Sequence, residues 1–287
     1  MIISRNKGLL TLLLSMTLTL ASPVLAETKI EIDSQEAFTD KELSSGAIKV
    51  LVNYRPYNFE QGDSLENNNL QYRILYNDVE QVNKKTSTVF TGGVSLQDLD
   101  ANSTPEVIVE TYSGGAHCCT SFKIYTWKNN QFIEQDTGFL DGSGGEFSDL
   151  DGDGKIEFVT SDKSFLYKFS SYAASFPPSR VLSFRNGELQ DTTRQHPNEL
   201  RSRAWQMYQS FSEAKESDYP VNGFLAGYVA QKILLGEYQQ GWDFMLAHYD
   251  RTSDWGLDEI QEGGRRVSKY PDFPTALRAF LIEQGYL

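Results

Sequence analysis

The fold of this chain is decided by the stretch Asp149-Leu150-Asp151-Gly152-Asp153-Gly154-Lys155-Ile156-Glu157. Its carboxylates stand at alternate positions of a short turn, where they converge on one point. Ca²⁺ takes about six to eight oxygen ligands at about 2.3–2.6 Å, and such a turn suits it. Gly154 allows the positive φ that a sharp turn needs. The predicted ligands are Asp149, Asp151, Asp153, the Lys155 carbonyl and Glu157.

The residues on either side of this loop predict β-strands. An EF-hand would place a glutamate at position 12 of its loop and flank the loop with helices, but Thr160 occupies that position here. Residues 145–148 and 158–160 carry aromatic and β-branched side chains, which favour strands. The loop is therefore predicted to join two strands. The alternative is an acidic surface turn without a metal.

A second copy of the motif lies at residues 98–106, with the same spacing of oxygen-bearing side chains. A strand-like run follows each copy, and residues 123–132 match 180–189 as strands around an Asn-centred turn. Together they predict an internal repeat of about 50 to 57 residues, a length typical of propeller-type units. The predicted ligands of the first copy are Asp98, Asp100, Asn102, the Thr104 carbonyl and Glu106.

Residues 86–192 resemble the FG-GAP or VCBS-type repeats of integrin-like β-propellers and bacterial secreted proteins. The resemblance rests on the Asp-x-Asp-x-(Asp/Asn) loops and implies calcium bound between two strands of a blade. The first copy departs from the pattern, because Ser103 stands where the glycine belongs and Pro105 stiffens the exit. These departures weaken the expectation of an ion in the first loop.

The predicted fold class is α+β. A β-rich domain of propeller-blade-like repeats with Asp-rich calcium loops is expected over residues 27–192, and a small helical domain over 193–287. Strands are predicted at 48–54 and as one run at 70–82, while 27–47 receive no assignment. A closed propeller needs at least about four blades. The length therefore favours a short stack of blade-like sheets or a small sandwich.

Hydrophobic spacing of three and four residues predicts about five short helices in the last third of the chain. Their aromatic stripes are expected to form the core of this region rather than a ligand site. Ahead of them, residues 162–179 are predicted to form an exposed excursion with Tyr167, Tyr172 and Phe176, which bind a ligand or pack locally. The helices are predicted at 198–215, after an Asn222 cap, at 237–249, from Asp254, and from Asp272 to Gly285.

Residues 1–26 have the composition of an export signal. A basic start, a short apolar middle and Val24-Leu25-Ala26 before Glu27 predict cleavage, and the apolar run is too short for a membrane span. The net charge of −13 argues against nucleic acid and anionic lipid partners, which select basic patches. We expect an exported protein, periplasmic or extracellular, without membrane insertion after signal removal.

The loop of residues 113–119 contains both cysteines of the chain, Cys118 and Cys119, beside His117. An oxidising compartment favours pairing, although adjacent cysteines make a strained bridge. Three interpretations stay open: a vicinal disulfide in a ligand-facing turn, a soft-metal site of His117 and thiolates, and cysteines that are unpaired or paired between molecules. The loop also resembles a Gly-Gly-Ala-His-Cys-Cys signature of some bacterial secreted repeat proteins.

The sequence contains no hydrolase, zinc-protease, Walker or dinucleotide motif. The predicted function is therefore that of an exported, non-catalytic binding module that uses Ca²⁺ and recognises an unidentified protein or carbohydrate. One alternative is an exported enzyme with its site at the domain junction, using His117 with Cys118 or Cys119. Another is a redox-responsive module that works through the cysteine pair.

Overall fold

The computed structural model describes residues 28–33, 35–141, 144–261 and 265–287. The predicted export signal, residues 1–26, lies outside these residues. The first part of the described chain is built of strands and the last part mainly of helices, as the α+β prediction requires. The strands of the first part are β1 (Lys29–Asp33), β2 (Phe38–Ser45), β3 (Ile48–Tyr54), β4 (Leu70–Tyr76), β5 (Val79–Thr86), β6 (Thr91–Gln97), β7 (Glu106–Tyr112), β8 (Cys118–Lys128), β9 (Gln131–Asp136), β10 (Leu140–Asp141), β11 (Glu146–Ser148), β12 (Glu157–Ser161), β13 (Ser179–Arg185) and β14 (Glu188–Asp191).

Three antiparallel meanders of four strands each make up the β-rich part. They are β2–β5, β6–β9 and β11–β14, and in each one consecutive strands pair with one another. Strand β1 extends the middle sheet beside β6, and β10 pairs with β8. The meanders do not close into a propeller among the described residues.

The middle sheet lies between the other two and packs against both of them. It can do so because successive side chains of a strand point to opposite faces of the sheet. Val107 and Val109 of β7 pack into a core shared with Tyr72 and the rest of β2–β5. Ile108, between them, packs on the opposite side with Phe158 of β12. Full burial of one such aliphatic side chain contributes about 1.5–3 kcal/mol. Two apolar interfaces therefore hold the three sheets in a stack.

Tight turns explain where the predicted strands end. The single strand predicted over 70–82 is wrong, because Asn77 and Asp78 adopt positive φ (48° and 60°) and fold the run into the β4–β5 hairpin. Asn129 with Asn130, and Asn186 with Gly187, make comparable turns between β8 and β9 and between β13 and β14. Two-residue turns with positive φ match the twist of antiparallel strands. The two hairpins matched in the sequence thus have the same form.

The helical region contains α1 (Pro197–Glu216), α2 (Asn222–Leu234), α3 (Tyr238–His248) and α4 (Phe273–Glu283). The helix predicted from Asp254 is wrong. Strands β15 (Asp258–Gln261) and β16 (Arg265–Lys269) form an antiparallel hairpin there, and the sequence between them contains Gly263-Gly264, a composition typical of hairpin connections.

The two predicted helix caps have different outcomes. Asp272 caps α4 by accepting the Thr275 N–H at 2.9 Å. Asn222 does not cap α2. Its amide instead exchanges hydrogen bonds with the backbone of Asp250, at 3.1 and 2.9 Å, and so ties α2 to the end of α3.

The segment between β12 and β13 is not the exposed excursion predicted from the sequence. Phe165, Phe169 and Ala174 are almost completely buried and belong to the core of the helical region. Phe176 is half-buried against the same core, while Tyr167 stays exposed. The segment includes short 3₁₀ helices at Lys163–Phe165 and Tyr172–Ala174. It therefore attaches the helices to the third sheet.

Among the described residues, each helix is either too short or too polar to cross a membrane.

Candidate metal centre

The two Asp-rich loops lie side by side. Residues 98–106 connect β6 to β7, and 149–157 connect β11 to β12, so each joins the first two strands of a meander. The Ile156 N–H donates to the Leu99 carbonyl at 3.0 Å and links the loops directly. The loop between two strands that the sequence predicts is thus present in both copies.

The first aspartate of each loop folds it through backbone hydrogen bonds. Asp98 accepts the N–H groups of Asn102 and Ser103 at 3.0 and 2.7 Å. Asp149 accepts those of Gly152 and Gly154 at 2.7 and 3.0 Å. Each carboxylate oxygen keeps lone-pair capacity for another partner. The bond from the fifth residue after the aspartate, Ser103 or Gly154, recurs in both loops, whereas the other bond comes from a different position in each.

The last residue of each loop is a buried glutamate. Glu106 accepts the Leu99 N–H at 2.9 Å and the Thr126 hydroxyl at 3.3 Å. Glu157 makes the equivalent contacts with the Leu150 N–H, at 3.3 Å, and the Ser183 hydroxyl, at 3.5 Å. Burial raises the pKa of Glu106 to about 7, although the Leu99 N–H opposes the shift.

Three carboxylates converge in each loop. One oxygen from each of Asp98, Asp100 and Glu106 lies within 4.8 Å of the others, and the same holds for Asp149, Asp151 and Asp153. Oxygens at about 2.3–2.6 Å from one calcium ion are at most about 5 Å apart. Each of the two groups of side chains therefore fits one calcium ion.

One oxygen in the first loop supports this fit independently. Oδ1 of Asp100 is buried and has no hydrogen-bond partner among the residues that the structure describes. A buried carboxylate oxygen without a donor is costly and calls for a cationic or hydrogen-bonding partner.

The remaining predicted ligands are the side chains of Glu157 and Asn102 and the carbonyls of Thr104 and Lys155, whose N–H groups are hydrogen-bonded within the loops. Glu157 lies outside the group of three aspartates in its loop. The Asn102 side-chain oxygen accepts the Thr104 N–H at 2.7 Å. The Lys155 N–H donates to Asp153, whose other oxygen pairs with the Lys155 ammonium, and this pairing lowers the pKa of Asp153.

A cleft of about 450 Å³ beside the loops contains side chains that the sequence did not connect to the acidic loops. Asp100 of the first loop and Asp153 of the second line it together with Arg185 and His196. The two basic residues lie at the end of β13 and immediately before α1. No sequence signal connects them to the loops, because only the packing of the third sheet brings these segments together.

The cysteine loop is a separate site. The sulfur atoms of Cys118 and Cys119 are in contact, and the His117 ring stacks on Tyr172 at a centroid distance of 4.1 Å. The Tyr172 hydroxyl donates to Asp141 at 2.6 Å, which raises the pKa of Tyr172 to about 12.

The two candidate sites lie at opposite ends of the same strands. The cysteines begin β8, whereas the 98–106 loop enters β7 beside the far end of β8, where Val107 pairs with Tyr125. At about 3.3 Å per residue, the two ends are about 20 Å apart. The structure therefore does not combine His117 and the cysteines with the acidic loops in one site.

Comparison with known proteins identifies one family model and relatives in two bacteria. Residues 200–285 match the family model of the sll0997 C-terminal domain. The chain is 40% identical over 204 residues to the probable thylakoid lumen protein sll0997 of Synechocystis sp., covering 68% of this chain and 60% of that protein. It is 34% identical over 228 residues to the uncharacterized protein y4bJ of Sinorhizobium fredii, covering 75% of this chain and 35% of that protein.

The chain is thus homologous to the lumen protein and spans less than two thirds of the length of either relative. The family match lies in the helical region and does not include the two acidic loops. No solved structure matches the chain.

Proposed function

We propose that this protein is an exported calcium-binding module without catalytic activity, in which two adjacent FG-GAP-like loops each hold one Ca²⁺. The observation that carries the proposal is the convergence of three carboxylates in each loop on a common hydrogen-bonded backbone scaffold. Asp98, Asp100 and Glu106 would hold one ion, and Asp149, Asp151 and Asp153 the other. Bound Ca²⁺ would offset most of the negative charge of each group and hold the turns closed.

Calcium would also brace the contact between two sheets. The loops touch through Ile156 and Leu99, and Leu99 belongs to the apolar core between the middle and third sheets. Without a cation, the converging carboxylates repel one another at this contact. An ion in either loop would therefore stabilise the stack as a whole, and its binding free energy would add to the folding free energy.

The location rests on the predicted signal and on a relative. The homologue in Synechocystis is named a probable thylakoid lumen protein, a compartment reached by export. An exported role agrees with this name. Each ion would take its protein ligands from one local loop, and a role without catalysis fits such an arrangement. The ligand of the module would be a protein or a carbohydrate.

Isothermal titration with CaCl₂ after chelator treatment tests the proposal. We expect two sites in the wild type, loss of one in Asp98→Asn and loss of the other in Asp151→Asn/Asp153→Asn. At about 1,000 times the dissociation constant, one ion would raise the unfolding free energy by about 4 kcal/mol. Thermal melts in calcium and in EDTA measure this gain.

Asp218→Asn is the matched control. Asp218 follows α1, is exposed and has a φ of 52°, which asparagine adopts readily, so the variant removes one negative charge without strain. It should bind calcium like the wild type. Melting temperatures that are equal in calcium and EDTA, or loop variants that bind like this control, would refute the proposal.

We also propose that Cys118 and Cys119 form a vicinal disulfide that holds the 113–119 turn. The expected oxidising compartment and the even number of cysteines support it. Mass spectrometry after alkylation, with and without prior reduction, tests the bridge. Two alkylated thiols in the unreduced protein would contradict it.

A further inference from the structure

A cleft of about 500 Å³ separates the third sheet from helix α1. It lies at the end of β11 and β12 that is distant from the 149–157 loop, since Glu146 and Ser161 line it and mark that end of the hairpin. Helix α1 lines the opposite side with Glu199, Arg203 and Gln206. The volume is within the range of small-molecule sites, about 300–1,000 Å³. This cleft is therefore independent of the calcium loops.

Arg203 is the unusual group in this cleft. Its guanidinium lies over the Phe176 ring at 4.4 Å and donates to the Pro177 carbonyl at 3.3 Å. Its Nε is buried and has no hydrogen-bond partner within the described part of the chain. Burial lowers the pKa of Arg203, and the nearby charge of Glu199 only partly offsets this.

A half-buried guanidinium normally pairs with a carboxylate or phosphate. No salt bridge to Arg203 occurs among residues 28–33, 35–141, 144–261 and 265–287. Its packing on Phe176 and its bond to Pro177 fix the position of the side chain, yet leave donors unused. This arrangement presents a fixed cation to whatever occupies the cleft.

The other charges of the cleft define what that occupant must carry. Asp141, Glu146 and Glu199 line it, so three carboxylates accompany the single cation. One oxygen of Asp141 already accepts the Tyr172 hydroxyl. A simple anion would be repelled by the surplus of negative charge, and a simple cation would leave Arg203 without a partner. A molecule with one carboxylate and one ammonium group satisfies both sets of charges.

We propose that this cleft binds a free α-amino acid. Its carboxylate pairs with Arg203, and its ammonium group lies toward Glu199 and Glu146. The remaining volume accommodates the side chain, beside the hydroxyl groups of Ser161 and Thr160.

The test uses the full mature protein in calcium, screened by thermal shift against each proteinogenic L-amino acid at millimolar concentration, followed by calorimetry for those that raise the melting temperature. We expect at least one amino acid to bind. Its carboxamide derivative, which lacks the anionic end, should bind at least about tenfold more weakly, since a charge-assisted hydrogen bond contributes about 1.5–3 kcal/mol.

Two variants locate the binding. Arg203→Gln should weaken it by at least about tenfold, and Glu199→Gln should weaken it independently through the ammonium group. Arg201→Gln is the matched control, because Arg201 is exposed on the same helix and does not line the cleft. The carboxamide comparison needs no variant, so it decides the matter even if Arg203→Gln folds poorly.

Failure of every amino acid to shift the melting temperature would overturn the proposal. Equal binding of the acid and its carboxamide would also overturn it, as would wild-type affinity in Arg203→Gln.

Discussion

The first and second acidic loops share one backbone scaffold but present different groups to an ion. In both, the first aspartate accepts hydrogen bonds from two N–H groups of the loop. The last glutamate accepts a hydrogen bond from a hydroxyl group on the third strand of its meander. The first loop directs its buried Glu106 into the carboxylate group, whereas the second uses three exposed aspartates. The two loops thus share a scaffold but differ in which carboxylates converge.

The loops also differ in the conformational strain of their backbones. Ala101 and Ser103 have φ of 57° and 70°, close to the 80° and 82° of Gly152 and Gly154 at the equivalent positions. Residues with a Cβ are strained in this left-handed region by about 1–2 kcal/mol each. The first loop therefore contains backbone strain that the glycines of the second loop avoid.

The largest expected difference between the loops is at their glutamates. In calcium, Glu106→Ala should lower the unfolding free energy by about 3 kcal/mol, because it leaves the buried Leu99 N–H without an acceptor and opens a cavity. Glu157→Ala should cost about 1–2 kcal/mol, since the hydrogen bonds of Glu157 are longer and it lies outside its group of carboxylates. Urea unfolding of both variants measures this.

Glu106→Gln is the control that keeps the shape of the side chain. Glutamine retains an oxygen that can accept the Leu99 N–H, but it lacks the negative charge. It should cost less stability than Glu106→Ala and still weaken calcium binding. Equal losses for the two alanine variants would show that the loops are energetically the same.

A smaller effect on stability is expected from substitutions at the loop positions that have a positive φ. Ala101→Gly and Ser103→Gly should each raise the unfolding free energy by about 0.5–1 kcal/mol by relieving strain. Gly154→Ala should lower it by about 1 kcal/mol. A Cβ at Gly154 would meet no atom within 4 Å, so this loss reports backbone strain alone. If the glycine variants of the first loop are not stabilised in chelator, the strain is not what distinguishes the loops.

The smallest effect concerns the lysine present only in the second loop. Lys155→Ala should tighten calcium binding there about two- to fivefold, because its ammonium competes with the ion for Asp153. Lys128→Ala is a matched control, since its ammonium bonds the Asn186 carbonyl and no carboxylate contact accompanies that bond among the described contacts. Calorimetry at two salt concentrations separates the direct contact from the general loss of positive charge.

The local parts of the fold were predictable. Strand β3 has the predicted bounds, 48–54, because its run of β-branched and apolar residues is followed by a polar segment. The turn inside 70–82 was missed and the helix from Asp254 was wrong, since short segments suit either structure until their pairing partners are known. The buried Phe165 and Phe169 were missed because their partners lie more than a hundred residues away, in α4.

The sequence by itself determined the two carboxylate groups, since their members lie within nine residues of one another and a turn suffices to bring them together. It also determined the order of strands followed by helices. Only the tertiary structure decided that the two loops touch, that the cysteine turn lies at the opposite end of the middle sheet, and that Arg203 lies in a cleft where no described residue forms a salt bridge with it. These relations join residues distant in the chain, and they depend on which apolar faces pack together rather than on local spacing.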